Sequence, residues 1–368
     1  MMKRLLFLYF LCTFNFSFSQ QSAITEHTIV SILTVGTADE SHSLYGHTAL
    51  RIKDTLTHTD VVYNYGMFDF ATTNFALKFI KGDLQYYAAA YSYADFEYNY
   101  RFENRSIYEQ VLNLSFEEKQ SLYQKLNNTL YSENNFYTYK FIDRNCTTKV
   151  IDLVNEVLVN HPIVKKNGED KTYRSVLFPY VKDHFYQQLG INIIFGQKVD
   201  HPATTLFLPF DLYDQLKKIS YKNKPLVSET NVLFKASRTT PFSFLDSIYS
   251  FSCILLLFVV LNKKITNAIY FSILGIIGLL FAFIGLYSLH QEVLWNYNAL
   301  LFNPFFLALP FFIFKGNALW IKRISWMGLV FIGFYMVFLV TKIHLGIILP
   351  LVISTTIILF RIATKSTN

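Results

Sequence analysis

Asp143-Arg144-Asn145-Cys146-Thr147-Thr148 leads directly into Lys149-Val150-Ile151-Asp152-Leu153-Val154-Asn155-Glu156-Val157-Leu158. The second run sets Val150, Leu153, Val154, Val157 and Leu158 at helical spacing. Thr147 or Thr148 is expected to cap its start. Cys146 then stands at or just before a helix N-terminus, where unpaired amides and the helix dipole favour a thiolate. The thiolate is the form of cysteine that attacks a carbonyl carbon. A buried inert cysteine is the plain alternative, and composition alone does not separate the two.

Outward from this stretch the chain divides in two. Of its 368 residues 52% are hydrophobic, and the formal net charge is +7. That apolar content points to a membrane component. It is uneven: up to about Thr240 the chain is polar and globular in pattern, and beyond it apolar runs dominate. The expected domains are a secretory signal over 1–19, a periplasmic domain over 20–240 and a membrane domain over 241–368. The signal has Lys3 and Arg4 at its charged start, Leu5 to Phe14 as its apolar core, and Ser17 and Ser19 near the cleavage point. Phe10 and Leu11 precede Cys12, where a lipid-anchoring site needs small residues. Cys253 falls in an apolar run, so Cys146 has no disulfide partner in the outer domain. No basic stripe of the kind that tracks phosphates is present, so nucleic acid is not an expected partner.

Five apolar runs, about 244–261, 268–289, 299–314, 324–340 and 345–360, each approach the roughly 17–25 residues that cross a bilayer. With an exported N-terminus, Lys263, Lys264, Lys315, Lys322, Arg323, Arg361 and Lys365 fall on the inner side and only Lys342 on the outer. That asymmetry obeys the positive-inside rule. It predicts a multi-pass protein of a bacterial inner membrane with the N-terminal domain in the periplasm.

In the outer domain, Thr28 to Thr34, Thr48 to Ile52, Val61 to Gly66, Tyr86 to Tyr91 and Ser106 to Leu112 have strand character. The second and third form a hairpin around the turn at Asp54 to Asp60. Ser115 with Glu118 is a capping box opening a helix to about Tyr131. Thr172 to Leu189 looks helical, and Gly196, Pro202 and Pro209 break the irregular stretch after it.

A thiolate needs a base, and the base needs an orienting group. His47 follows Gly46 and opens a scaffold strand, which would aim it accurately; His42 is its rival. Asn64 on the partner strand is placed to accept the ring proton. Among further polar groups, Arg105, Arg144 and Arg174 are candidates to pair a lipid phosphate. His290, Gln291, Glu292, Trp295, Asn296 and Asn298 fall in the outer loop after the second run, where they would bind headgroups or form an interfacial belt.

Gly46-His47-Thr48-Ala49-Leu50-Arg51-Ile52, Val61-Val62-Tyr63-Asn64-Tyr65-Gly66 and Asn145-Cys146-Thr147 together resemble the permuted papain-like fold of lecithin:retinol acyltransferase and its relatives. There the third catalytic member is commonly histidine, and the matching position here is Asn64. The whole chain, with Thr172-Tyr173-Arg174, Phe207-Leu208-Pro209 and Trp295-Asn296-Tyr297-Asn298 added, is similar to the Bacteroides-type lipoprotein N-acyltransferase (Lnb) family. The resemblance implies an α+β papain-like, circularly permuted extracytoplasmic domain followed by an all-α bundle of five transmembrane helices. It implies transfer of an acyl chain from a phospholipid to the N-terminal diacylglyceryl-cysteine of a lipoprotein. Cys146, His47 and Asn64 would be catalytic. Asn145, Tyr65, Arg144 and Arg174, with His290, Trp295 and Asn296, would contact substrate. The two-step exchange requires no metal and no cofactor. The competing expectations are a membrane-anchored cysteine peptidase or amidase acting on cell-wall peptides, a non-enzymatic sensor or binding protein, and an intramembrane enzyme built on His290 or His344.

Overall fold

The computed structural model describes residues 24–40, 42–165, 171–238 and 241–365. The expected signal over 1–19 and Cys12 lie outside the described residues. The outer domain is built on strands β1 (Ile29–Val35), β2 (His47–Asp54), β3 (Thr59–Met67), β4 (Gln85–Ser92), β5 (Ile107–Leu112) and β6 (Phe136–Thr138). A two-strand hairpin of β7 (Ser220–Tyr221) and β8 (Lys224–Pro225) precedes β9 (Val227–Phe234). The main sheet runs β6-β4-β3-β2-β1-β5-β9, with every neighbouring pair antiparallel. The expected hairpin is β2–β3, in register Ala49↔Asn64 and Ile52↔Val61.

Both faces of this sheet are covered. The helices Phe116–Tyr131 and Cys146–Asn155 pack on one, burying Leu122, Leu126, Val150 and Val154 against Ile32, Leu50 and Tyr63. Each such leucine or valine contributes about 1.5–3 kcal/mol. On the other face lies helix Tyr93–Phe102, whose Tyr93, Phe96 and Tyr100 meet Leu33, Ala49 and Val62. In this stretch the sequence predicts the strand over Ser106 to Leu112, which is β5, and not the helix before it. The Ser92 side chain accepts the Asp95 amide at 3.1 Å and caps it. Once capped, the 93/96/100 spacing puts its aromatics on one face.

Thr172 to Leu189 is not one helix. Tyr173–Leu177 passes into a 3-10 turn, Phe178–Val181, and a separate helix, Phe185–Ile194, comes after it. Pro179 lies at the break and has no amide to continue the ladder. Pro209 starts the helix Pro209–Leu216, filling the first-turn position that proline suits.

Four helical segments are long and apolar enough to cross a membrane: Lys264–Tyr287, Tyr297–Lys315, Ala318–Leu339 and Leu345–Thr364. The first expected span is shorter than predicted. Helix Ile248–Leu261 has 14 residues, starting at its Ser247 cap and ending at left-handed Asn262. At 1.5 Å per residue that is about 21 Å, against a hydrocarbon core of about 30 Å. The five segments run back and forth. Ser288 Oγ donates to the Ile80 carbonyl and Tyr297 to Asp200, so those ends meet the outer domain. Arg361 donates to the Val259 carbonyl at the opposite end.

Candidate active site

The Cys146 helix is started by Asn145, not by Thr147 or Thr148. Asn145 Oδ1 accepts the Thr148 amide at 3.0 Å, and the Thr148 hydroxyl takes the Asn145 amide at 2.8 Å. This is a reciprocal capping box with a threonine in the returning role. The remaining Asn145 donors go to the carbonyls of Phe141 and Phe207, both at 2.8 Å. The side chain is therefore spent within the fold, pinning the helix start to two loops. Thr147 faces the sheet, its hydroxyl 2.9 Å from that of Thr48 on β2.

His47 begins β2, and its ring lies on the face of the sheet covered by Tyr100, 6.2 Å away and stacked. The Cys146 helix covers the opposite face. The two side chains meet around the end of the sheet, where glycines replace side chains. Gly46 has φ +82, and a Cβ there would lie 2.5 Å from the Val35 carbonyl oxygen. Gly66 has φ +90 at the irregularity between β3 and β4, and its Cβ direction points at Cys146 Cβ and at Tyr139. Asn64 Nδ2 donates to the Val62 carbonyl at 3.3 Å, which turns Oδ1 towards His47 Nε2 at 3.0 Å. His47 thus donates through Nε2 and keeps its lone pair on Nδ1.

Cys146 is half-buried and unpaired. Burial by itself pushes its thiol up. The His47 charge, a His47 hydrogen bond, the Thr48 amide and the Thr147 hydroxyl outweigh burial and hold it below its ordinary value. A lowered thiol beside a basic ring is the arrangement of an activated nucleophile.

The dyad opens on an aromatic cleft of about 360 Å³, lined by Tyr65, Phe68, Phe70, Phe75 and Tyr139 besides His47 and Cys146. Tyr45, Phe79, Tyr86, Tyr139 and Phe141 are walls common to this cleft and to a second cavity of about 520 Å³. That second cavity extends to Ile284 and Ser288 at the outer end of a membrane helix. A third, of about 450 Å³, lies on the Asn64 side of His47 and includes His42, Asn99, Glu103 and Arg105. Among the described residues no group of three or more His, Cys, Asp or Glu side chains is placed to hold a metal.

The other sequence candidates separate. Tyr65 is buried in the cleft wall. Arg144 is exposed, its guanidinium 5.2 Å from the Tyr137 ring. Arg105 is buried between the Gly36 carbonyl and Glu103. Arg174 is buried in a junction between the outer domain and the membrane helices. It binds Asp200 at 2.7 Å, the Asn192 side chain and the Phe195 and Gly196 carbonyls, and reaches Tyr297. No side-chain hydrogen is left pointing at the cleft. Asn296 Nδ2 donates to the Ile193 and Ile194 carbonyls. His290 Nε2 meets the Phe79 carbonyl at 2.9 Å and lines the second cavity. Trp295 is 85% exposed at a left-handed loop position, φ 51, away from the dyad. Sequence reasoning misses Thr48, Gly66, Tyr100 and Tyr139; nothing local marks them, because each acts through a contact with a distant strand or helix.

No curated protein and no solved structure matches this chain. Residues 17–178, which carry His47, Asn64 and Cys146, match the family model described as the Lnb N-terminal periplasmic domain. The chain is thus a membrane protein with a periplasmic N-terminal domain, and that domain is similar to the N-terminal periplasmic domain of the Lnb family.

Proposed function

We propose that this protein transfers an acyl chain from a phospholipid to the α-amine of a diacylglyceryl-cysteine at a lipoprotein N-terminus. The observation that carries the reading is that Cys146 and His47 open on an aromatic cleft that shares walls with a second apolar cavity reaching a membrane helix end. Such adjoining apolar space suits a lipid ester presented from the outer leaflet. A histidine opening a strand ahead of a helix-borne cysteine also fits a permuted papain-like arrangement.

In the first step His47 Nδ1 takes the Cys146 proton as Sγ attacks the ester carbonyl. The oxyanion faces the Cys146 amide, which as the first of its helix has no intrahelical acceptor. Collapse breaks the ester C–O bond, and His47 returns the proton to the departing glycerol oxygen. A thioester on Cys146 and a lysophospholipid result. In the second step the lipoprotein amine attacks the thioester, His47 removes its proton and delivers it to sulfur, and an amide is formed. Asn64 keeps the imidazole in the tautomer with Nδ1 free throughout. Phospholipid and lipoprotein are the only reactants, with no metal or cofactor.

Lys263, Lys264, Lys315, Lys322, Arg323, Arg361 and Lys365 lie at the helix ends away from the outer domain, the cytoplasmic end under the positive-inside rule. The 14-residue helix from Ile248 completes a five-pass inner-membrane bundle, its shortfall met by local thinning of the bilayer.

Incubation of purified diacylated lipoprotein with phospholipid and the protein in detergent, followed by intact mass, tests the reading. Gain of one acyl chain on the N-terminal cysteine is expected, lost in Cys146→Ser and His47→Ala. Folded wild type that gives no gain but cleaves cell-wall peptides would replace the transferase with the amidase.

A further inference from the structure

The cavity of about 520 Å³ beside the cleft has apolar walls, and three of its lining residues carry an oxygen that the fold buries and leaves unsatisfied. Glu292 Oε2, Gln187 Oε1 and the Tyr45 hydroxyl are all buried without a protein partner, and all three residues line this one cavity. Its other polar walls are satisfied: Ser288 bonds the Ile80 carbonyl and His290 the Phe79 carbonyl. Glu292 is 1% exposed. Its Oε1 accepts the Ile142 amide at 3.4 Å and has Lys198 Nζ at 3.8 Å. Lys198 sits closer to Asp143, so it balances the Glu292 charge only in part. A buried carboxylate oxygen without a hydrogen bond is costly. Two acceptor-only oxygens and a hydroxyl around apolar walls match a group with several N–H donors, a positive charge and an apolar body.

We propose that this cavity binds the primary ammonium group of a lipid-borne substrate, with Glu292 as its counter-charge and Gln187 and Tyr45 as further acceptors. The assignment rests on the transferase reading for its choice of ligands, since two substrates of that reaction carry such a group. One is the α-amine of the diacylglyceryl-cysteine; the other is the ethanolamine headgroup of a phospholipid donor. Tyr139 and Phe141 are walls of both cavities, so the ammonium is held beside the cleft that contains the thiol; an ethanolamine headgroup would stay there during transfer, whereas an α-amine would leave it to reach the thioester.

The test is equilibrium binding to the full-length protein carrying Cys146→Ala, in detergent micelles, which needs no turnover. Two ligand pairs are compared: phosphatidylethanolamine against phosphatidylglycerol of the same chains, and a diacylglyceryl-cysteine peptide with a free against an acetylated amine. At least one pair is expected to show about tenfold tighter binding of the ammonium member. The pair that shows it identifies the source. Glu292→Gln abolishes the difference, and Gln187→Leu reduces it severalfold. Equal binding within both pairs, or a preference that survives both substitutions, overturns the assignment. Should Glu292→Gln fail to fold, judged by its melting curve, Gln187→Leu decides alone. Acyl transfer by the wild type is measured in parallel. A preference governed by Glu292 in a protein that transfers nothing would keep the site and discard the transferase.

Discussion

Replacing Asn145 by alanine separates a residue that builds the site from one that touches substrate. Its side chain makes three hydrogen bonds: Oδ1 caps the Cys146 helix through the Thr148 amide, and Nδ2 holds the carbonyls of Phe141 and Phe207. Losing an Asn cap costs about 1 kcal/mol. Each buried neutral hydrogen bond adds about 0.5–1.5 kcal/mol. The total for Asn145→Ala is then about 2–4 kcal/mol. For a domain of this size, each kcal/mol shifts Tm by about 2–4 °C, so a fall of about 4–16 °C is expected. Asn145→Asp keeps the cap and gains from the helix dipole, but sets a carboxylate against two carbonyls; it is expected to lose as much or more. Asn145→Ser keeps the cap alone and should fall between wild type and alanine. Thermal unfolding of the full chain in micelles, beside Cys146 reactivity at a temperature where all variants are folded, is the assay. An alanine variant that melts within 1 °C of wild type, yet has lost activity, would refute this account and return Asn145 to the role of a substrate contact.

Alkylation of Cys146 by iodoacetamide, in a Cys253→Ser background, should proceed at a pH below that of an ordinary free thiol, because His47 holds the thiolate. In His47→Ala burial is opposed only by the Thr48 amide and the Thr147 hydroxyl, so the reactive limb moves to higher pH; an unmoved limb would separate the two residues. Asn64→Ala leaves the His47 Nε2–H without its acceptor, worth about 1.4 kcal/mol or tenfold in rate; Asn64→Asp should recover much of it, measured as the rate of Cys146 acylation. Arg174→Met leaves buried Asp200 with the Tyr297 hydroxyl and a distant Lys342 but without its close cation, which costs about 3 kcal/mol. It should lower Tm without changing the pH dependence of alkylation, since Arg174 lies at the membrane junction and not at the dyad.

How legible each part is in the sequence depends on how far its constraint reaches along the chain. His47 and Asn64 are readable because a hairpin is local: the turn at His58, left-handed in the structure, sets the register that puts Asn64 opposite Ala49. Cys146 is readable because its helix announces itself within ten residues. The cap is ambiguous because Asn145 and both threonines are good caps by type. The choice is made by Phe207, sixty-two residues away, whose carbonyl takes Asn145 Nδ2. The helix from Tyr93 is not singled out in sequence, since its aromatic residues are no better suited to a helix than to a strand, and only the sheet face awaiting Phe96 and Tyr100 decides. The first membrane helix looks longer in sequence than it is because Phe244 and Leu245 are as apolar as any span; Ser247 stops the helix behind them by accepting the Ser250 amide.

The junction is the least legible part, and it bears most on how the two halves work together. Arg174, Asp200 and Tyr297 come from three separate stretches, and nothing local says that they meet, although Arg174 and Tyr297 each stand in a stretch the sequence singles out. Gly196 belongs with them: a Cβ there would lie 1.9 Å from the Leu294 carbonyl oxygen, so the outer loop that carries Glu292 can dock only against a glycine. The Gly196 amide also bonds the Glu292 carbonyl at 2.8 Å. The same contact that seats the domain on the membrane helices therefore places a buried carboxylate in the wall of the larger cavity. On the proposed reading, the membrane helices complete the substrate site as well as tether it.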